Sequence, residues 1–504
     1  MGSEILSDDF VRSELDFWNV PGLALAVGRG GETLLAKGYG KRDLEQDLPM
    51  TADTLGGIAS CSKSFCSAVA ASLVEEGILS FDTPIREWIP DFALWDEEAG
   101  KRCTLRDMLL HRTGLAGHDG MWPAPGLSRR EYLRRLRYLE PNKSFRGAVQ
   151  YSNTIYNAVG CILEEVSGKP YETLVRERIL EPLGMTRTVL SADAMGRDGN
   201  AAAGYFGKER TSPLVRMPLW EMNVGVPAAG VCSSPREMLH WLLLHAGNGV
   251  YRGRRIFSEE MMAELHRPEE AMSAFPWTFP EVPGLAFYGM AWKTAPYRDR
   301  LLVYHCGEIE GYCSIELFVP GTDLVLFAFC NRHCPNTPLL LEMAYTVVDA
   351  VLGYPRVNWA ERLHPYEKVF RGSCANWEKD LFPHTAAEDA PHPPTHDLAD
   401  YAGTFFHPGY GPLRVSLENG TLYLHWKNWL LPLEHAYYDT FRVRNLKMDT
   451  LFVTLPMTYY YDELTGKVQS FTLRLEETVA PIRFVREEDP AGEERRCARN
   501  SPKT

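Results

Sequence analysis

The chain lacks most of the features that place a sequence at a glance. It has no long hydrophobic run. The most apolar windows, Leu339 to Ala350 and Met238 to Ala246, are short and carry Glu, Asp or His, whereas a spanning helix needs about 20 apolar residues. No membrane segment is therefore expected. There is no basic block: 53 Lys and Arg stand against 66 Asp and Glu, for a net charge of −13. That balance argues against a nucleic-acid partner and mainly serves solubility. Met1 to Asp8 has neither a basic nor an apolar segment, so no secretory signal is expected. A cytoplasmic location follows as the expectation, with export left open by the Met-Gly-Ser start. The eleven cysteines are odd in number and scattered, which favours reduced thiols over a disulfide framework. Cys330-Asn331-Arg332-His333-Cys334 lacks a second ligand pair at zinc spacing. These cysteines are read as packing residues, and no metal or cofactor is expected. No internal repeat is visible.

What the chain does have is size and pattern. Its 504 residues, 45% hydrophobic and 11% aromatic, suffice for two or three domains with substantial cores. Ile5 to Trp18 reads as an amphipathic helix. Gly22 to Val27 and Thr33 to Ala36 flank Arg29-Gly30-Gly31-Glu32 as a hairpin. Ser128 to Leu139 reads as a helix with a solvated arginine face, and Tyr151-Ser152-Asn153 opens a helix reaching Val166. Ser234 and Pro235 start another, as N-cap and first helical residue. Strands are expected at Gly289 to Lys293, Leu301 to His305, Tyr312 to Val319 and Leu324 to Phe329, then a helix over Leu339 to Leu352. Hairpin and late strands together predict one antiparallel sheet flanked by helices. Beyond a Pro- and His-rich stretch ending near Pro394, short alternating runs predict a small antiparallel barrel. They are Thr404 to Phe406, Leu413 to Leu417, Thr421 to Trp426, Thr440 to Val443, Leu451 to Thr454, Met457 to Tyr461, Val468 to Leu475 and Ile482 to Val485.

The chemistry centres on Ser60-Cys61-Ser62-Lys63, which leads into an apolar-periodic helix. Residues at i and i+3 share a helix face, so the hydroxyl and the amine can meet. A serine needs a base to become a nucleophile, and a lysine serves only if burial or a nearby cation lowers its pKa. Ser-x-x-Lys alone is weak, with roughly one or two chance matches in a chain this long. Two further elements strengthen it. Tyr151 can exchange a proton beside Lys63, while Asn153 can hold Lys63 and a substrate carbonyl. His305-Cys306-Gly307 ends an apolar strand on a small residue, beside which a substrate backbone can lie.

With Ser-x-x-Lys, Tyr-x-Asn and His-x-Gly in this order, the chain resembles the penicillin-recognising serine hydrolases: class C β-lactamases, penicillin-binding-protein-like D-peptidases and related esterases. Pro21-Gly22-Leu23-Ala24, the Leu110-to-Leu115 segment, Ala229 to Ser233 and Tyr288 to Trp292 also match. The resemblance covers roughly residues 5 to 353. It implies an α/β sandwich of the serine β-lactamase type, an antiparallel sheet flanked by helices. It also implies Ser60 as nucleophile, Lys63 and Tyr151 sharing acid and base work, and Asn153 positioning substrate. The backbone N–H groups of Ser60 and Glu308 would form the oxyanion hole. The barrel is similar to the lipocalin-like domain of some relatives. The resulting domains are 1–353 (hydrolase), 354–396 (linker), 397–487 (barrel) and 488–504 (disordered tail).

Two departures from the β-lactamases stand out. His305-Cys306-Gly307 replaces Lys-Thr-Gly, as is common among the esterase and peptidase branches, and removes a permanent ammonium from the substrate site. Glu308 and Glu310 follow at once, as a solvated loop or as acceptors of a substrate ammonium. His305, Gly307, Glu308 and Glu310 are thus candidate substrate-binding residues alongside Asn153. The expected activity is acyl-enzyme hydrolysis of an amide or ester in a small-molecule or short-peptide substrate. A peptidase or amidase comes first, D-amino-acid peptides being one candidate class. A carboxylesterase or weak β-lactamase is the alternative, and a binding or scaffolding protein without turnover is the alternative of another class. The sequence leaves the oligomeric state open.

Overall fold

The computed structural model describes residues 5–121, 126–207, 210–219, 221–273, 275–333, 338–367, 392–426, 429–443 and 455–487. They fall into two units that part near residue 374.

The first unit is built on a nine-stranded antiparallel sheet. From edge to edge it runs Glu270–Ser273, Leu285–Tyr288, Lys293–Tyr297, Arg300–Ile309, Tyr312–Val319, Leu324–Cys330, Gly22–Arg29, Glu32–Asp43 and Leu48–Pro49. The N-terminal hairpin thereby joins the late strands, with Leu25 opposite Ala328. Every residue of Tyr312–Val319 and Leu324–Cys330 is buried, which requires cover on both faces. Leu23, Leu25 and Val27, with Ile315, Leu317, Leu324 and Leu326, pack on helices Asp8–Trp18 and Pro338–Leu352. Helix Pro235–Ala246 packs on the same strands, capped by Ser234 with Pro235 in its first turn as the sequence predicts. Helices Ser62–Glu75 and Asn153–Ser167 pack on one another.

Two expectations change. Gly289 to Trp292 is a bend between two strands: Ala291 takes φ 71, and a Cβ on Gly289 would lie 2.5 Å from the Arg267 carbonyl oxygen. The helix expected over Ser128 to Leu139 forms as Arg129–Arg135 and a short turn. Arg129 is no solvated residue, because it lies between Glu164 and Glu172. Residues 354–367, the start of the expected linker wrapping the first domain, carry helix Trp359–Leu363. Trp359 is 1% exposed in the core, and its indole donates to Asp349 Oδ2 at 2.9 Å.

In the second unit, eight strands close into an antiparallel barrel among the described residues. Strands Gly403–His407 and Ile482–Arg486 pair to shut it. Alternate residues such as Leu422, Leu424 and Trp426, or Phe471 and Leu473, point into its core. Strand Trp429–Tyr437 is additional to the sequence prediction. The strand expected at 451–454 and the tail at 488–504 lie outside the described residues.

Candidate active site

Ser60 sits in a 3₁₀ turn, Ala59–Cys61, that runs into helix Ser62–Glu75. Ala59 takes φ 50, a left-handed conformation that costs a residue with a side chain about 1–3 kcal/mol. The surrounding structure holds it there. Ile58 donates its N–H to the Val231 carbonyl at 3.0 Å, Val231 donates back to Ser62 Oγ at 3.0 Å, and Ser314 Oγ donates to the Ile58 carbonyl at 2.6 Å. Gly307 borders the same turn, since a Cβ there would lie 2.2 Å from Ile58 O and 2.3 Å from Ser314 Oγ. The small residue makes room for the serine turn.

Lys63 is fully buried, with Ser60 half-buried beside it. Its Nζ lies 2.7 Å from Asn153 Oδ1, 3.0 Å from the Ala228 carbonyl oxygen and 3.0 Å from Ser60 Oγ. The first two partners only accept, so they take two N–H groups. The third position faces Ser60 and holds a hydrogen in the ammonium or a lone pair in the amine. Burial lowers the Lys63 pKa to about 7, and Lys293 pushes it the same way against the pull of Asp119. Near neutral pH the amine is therefore well populated, and its lone pair can take the Ser60 proton.

Tyr151 lies with its ring 4.8 Å from Lys63 Nζ. Burial drives its pKa up, with the Ser60 hydroxyl pulling it back, so the phenol keeps its proton. Asn153 is oriented from both ends: its Oδ1 accepts from Lys63, and its Nδ2 donates to Asp119 Oδ1 at 3.2 Å. Ser152 caps helix Asn153–Ser167 through the Ile155 N–H. The structure therefore brings Ser60, Lys63, Tyr151 and Asn153 together.

The remaining sequence candidates divide. His305 is 2% exposed and both its ring nitrogens meet protein atoms: Nδ1 the Cys306 carbonyl oxygen at 2.7 Å, Nε2 the Tyr288 hydroxyl at 3.3 Å. Glu308 Oε1 accepts from His333 Nε2 at 2.7 Å. Burial opposes the charge on His333, yet this hydrogen bond prevails and holds its pKa at about 9. The carboxylate offered to a substrate ammonium thus already carries an imidazolium. Glu310, half-buried, adds to the field on His333. The sequence reading missed Asp119, the Ala228 carbonyl and Lys293. None carries a local signal, because each reaches the site from a remote segment.

Among the described residues, one group of three metal-capable side chains draws together, Glu14, Glu342 and His364. His364 Nε2 donates to Glu14 Oε2 at 2.6 Å. Burial and the neighbouring Glu14 carboxylate push the Glu342 pKa well up. The group shares no element with the Ser60 cluster.

Sheet, helices and serine–lysine cluster define a hydrolase of the serine β-lactamase fold, and comparison with known proteins bears this out. The Beta-lactamase family profile matches residues 9–345, and this chain belongs to that family as a serine hydrolase. A Domain of unknown function (DUF3471) profile matches residues 387–486. The chain is 27% identical over 460 residues to the unguisins hydrolase ungD' of Aspergillus campestris, covering 87% of this chain and 83% of that protein. It is similar to the D-amino acid amidase of Ochrobactrum anthropi, with 26% identity, TM-score 0.56, and 70% of this chain and 97% of that one covered. It shares its fold with the octameric penicillin-binding protein homologue of Pyrococcus abyssi, with 21% identity, TM-score 0.58, and 95% and 99% covered. No helix among the described residues is long and apolar enough to cross a membrane.

Proposed function

We propose that the protein hydrolyses amide bonds in small molecules or short peptides through an acyl-enzyme on Ser60. The observation that carries this is the bonding of Lys63: two carbonyl acceptors fix the amine, and its third position faces the serine. In this reading neutral Lys63 takes the Ser60 proton as Oγ attacks the substrate carbonyl. The Ser60 and Glu308 N–H groups receive the developing oxyanion. Tyr151, which keeps its proton, hands it to the leaving amine; water then attacks the acyl-enzyme and gives a proton back to Tyr151, while Lys63 returns its proton to Ser60 Oγ as the acyl bond breaks. The similarity to a D-amino acid amidase favours amides, D-aminoacyl ones among them, over simple esters.

The test is labelling with a fluorophosphonate followed by peptide mapping, together with turnover of a panel of D- and L-aminoacyl amides and esters. The expected adduct is on Ser60 and is lost in Ser60→Ala. An adduct on another serine, or turnover surviving Ser60→Ala, would remove the proposal.

A further inference from the structure

Three buried side chains that the proposed hydrolysis does not use, His111, Tyr288 and His305, form a chain with determined hydrogen positions. At one end the Ser152 backbone N–H lies 3.1 Å from His111 Nδ1. An N–H only donates, so Nδ1 carries a lone pair and the proton of the neutral ring sits on Nε2. At the other end His305 Nδ1 lies 2.7 Å from the Cys306 carbonyl oxygen, which only accepts. The His305 proton is therefore on Nδ1, and Nε2 carries the lone pair. Tyr288 Oη stands between, 3.2 Å from His111 Nε2 and 3.3 Å from His305 Nε2. It accepts from the first and donates to the second, while the neighbouring Tyr156 hydroxyl donates elsewhere, to the Leu109 carbonyl. All bonds of the chain then run one way, from Ser152 to Cys306. Burial, with Lys63 and Lys293 nearby, holds both imidazoles neutral, as this assignment requires.

The two ends lie at the two walls of the site. Ser152 stands between Tyr151 and Asn153, and Cys306 precedes Gly307, which borders the serine turn. His111 clamps the Tyr151 segment twice more: its carbonyl accepts from the Gln150 N–H at 2.8 Å, and its ring packs 4.4 Å from that of Tyr151. To do so it takes φ 56, an unfavourable conformation for a residue with a side chain.

We propose that His111–Tyr288–His305 is a one-way hydrogen-bonded strut that sets the spacing between the Tyr151–Asn153 turn and the strand bordering Ser60. His111, Tyr288 and His305 are then positioning residues for the hydrolysis, and His305 belongs to the strut and does not bind substrate. This rests on Tyr151 acting as the proton donor.

The experiment has two arms. In protein labelled with ¹⁵N-histidine at pH 7, with His111 and His305 assigned by substitution, His111 is expected as the Nε2–H tautomer and His305 as the Nδ1–H tautomer. In Tyr288→Phe, which removes only the central hydroxyl, kcat on an aminoacyl amide is expected to fall about 10–100-fold through misplacement of the reacting groups, with KM little changed. The same tautomer on both rings, or wild-type kcat in a folded Tyr288→Phe, would overturn the proposal. If that variant does not fold, the tautomers alone decide. Fluorophosphonate labelling of wild-type Ser60 tests the underlying reaction separately, so loss of the strut and loss of the hydrolase reading are distinguishable.

Discussion

Tyr151 stands between two buried polar clusters of opposite character. On one side, Lys63 Nζ bonds two carbonyl oxygens and leaves its third position to Ser60. On the other, His111, Tyr288 and His305 have one bonding pattern that gives both ring lone pairs a donor. Both clusters pay desolvation, but they use it differently. Around Lys63, burial lowers the pKa to about 7 and brings amine and ammonium close in free energy, so a proton can move. Around the imidazoles, burial forces neutrality and locks the geometry. A buried polar group becomes reactive where one of its hydrogens has two places to be, and structural where it has one.

Substitutions on the reactive side should have the largest effects. Ser60→Ala should abolish turnover of any amide or ester, read by product release. Lys63→Met should lose about 10²–10⁴ in kcat/KM, the usual share of a proton-transfer group. Lys63→Arg should not restore it, since a guanidinium does not give up its proton near neutral pH. Tyr151→Phe should lose a comparable factor on amides and less on esters with good leaving groups, which need no acid. Equal losses on both substrate types would assign Tyr151 a different role.

The border between the clusters should respond less. Gly307→Ala pushes a Cβ toward Ile58 O and Ser314 Oγ. It should destabilise the protein by about 1–3 kcal/mol, as overpacking does, and slow the labelling of Ser60. Wild-type stability and labelling would mean that the serine turn shifts freely. Glu308→Gln should matter least for the rate. Its effect belongs to pH: the folded-state pKa of His333 is raised to about 9, above the unfolded value of about 6.5. The stabilisation from this pair is present in full below pH 6.5 and lost as pH rises through 9. Denaturant unfolding of Glu308→Gln across that window should lack this slope.

The parts of the site written in local spacing were legible in the sequence. Ser60 and Lys63 are one helical turn apart, and Ser152 announces the helix start that aims Tyr151 and Asn153. The strut was not legible, because Tyr288 is 177 residues from His111 and 17 from His305, and no periodicity joins them. His305 and Gly307 were found as candidate substrate-binding residues; their neighbours within the protein are Tyr288 and the Ile58–Ala59 turn. In the fold, alternation gave the barrel and most of the sheet. It failed at Gly289 to Trp292, where apolar residues bend, and at Trp429–Tyr437, where Pro432 interrupts a run that otherwise reads as a strand. The stretch after Tyr354 gave no sign of helix Trp359–Leu363, because the burial of Trp359 depends on Asp349 in the core, with Tyr297 and Arg298 already bound.

In the proposed reaction the amine of Lys63, freed of its third proton by burial, activates Ser60. The rate of fluorophosphonate acylation of Ser60 as a function of pH measures this most directly, because it isolates the first chemical step. The free base accumulates as pH rises, so the rate should climb through an apparent pKa near 7 and then level off, with Tyr151 still protonated. A rate that is flat between pH 5.5 and 8.5, or that climbs only toward the ordinary lysine pKa of about 10.4, would contradict it.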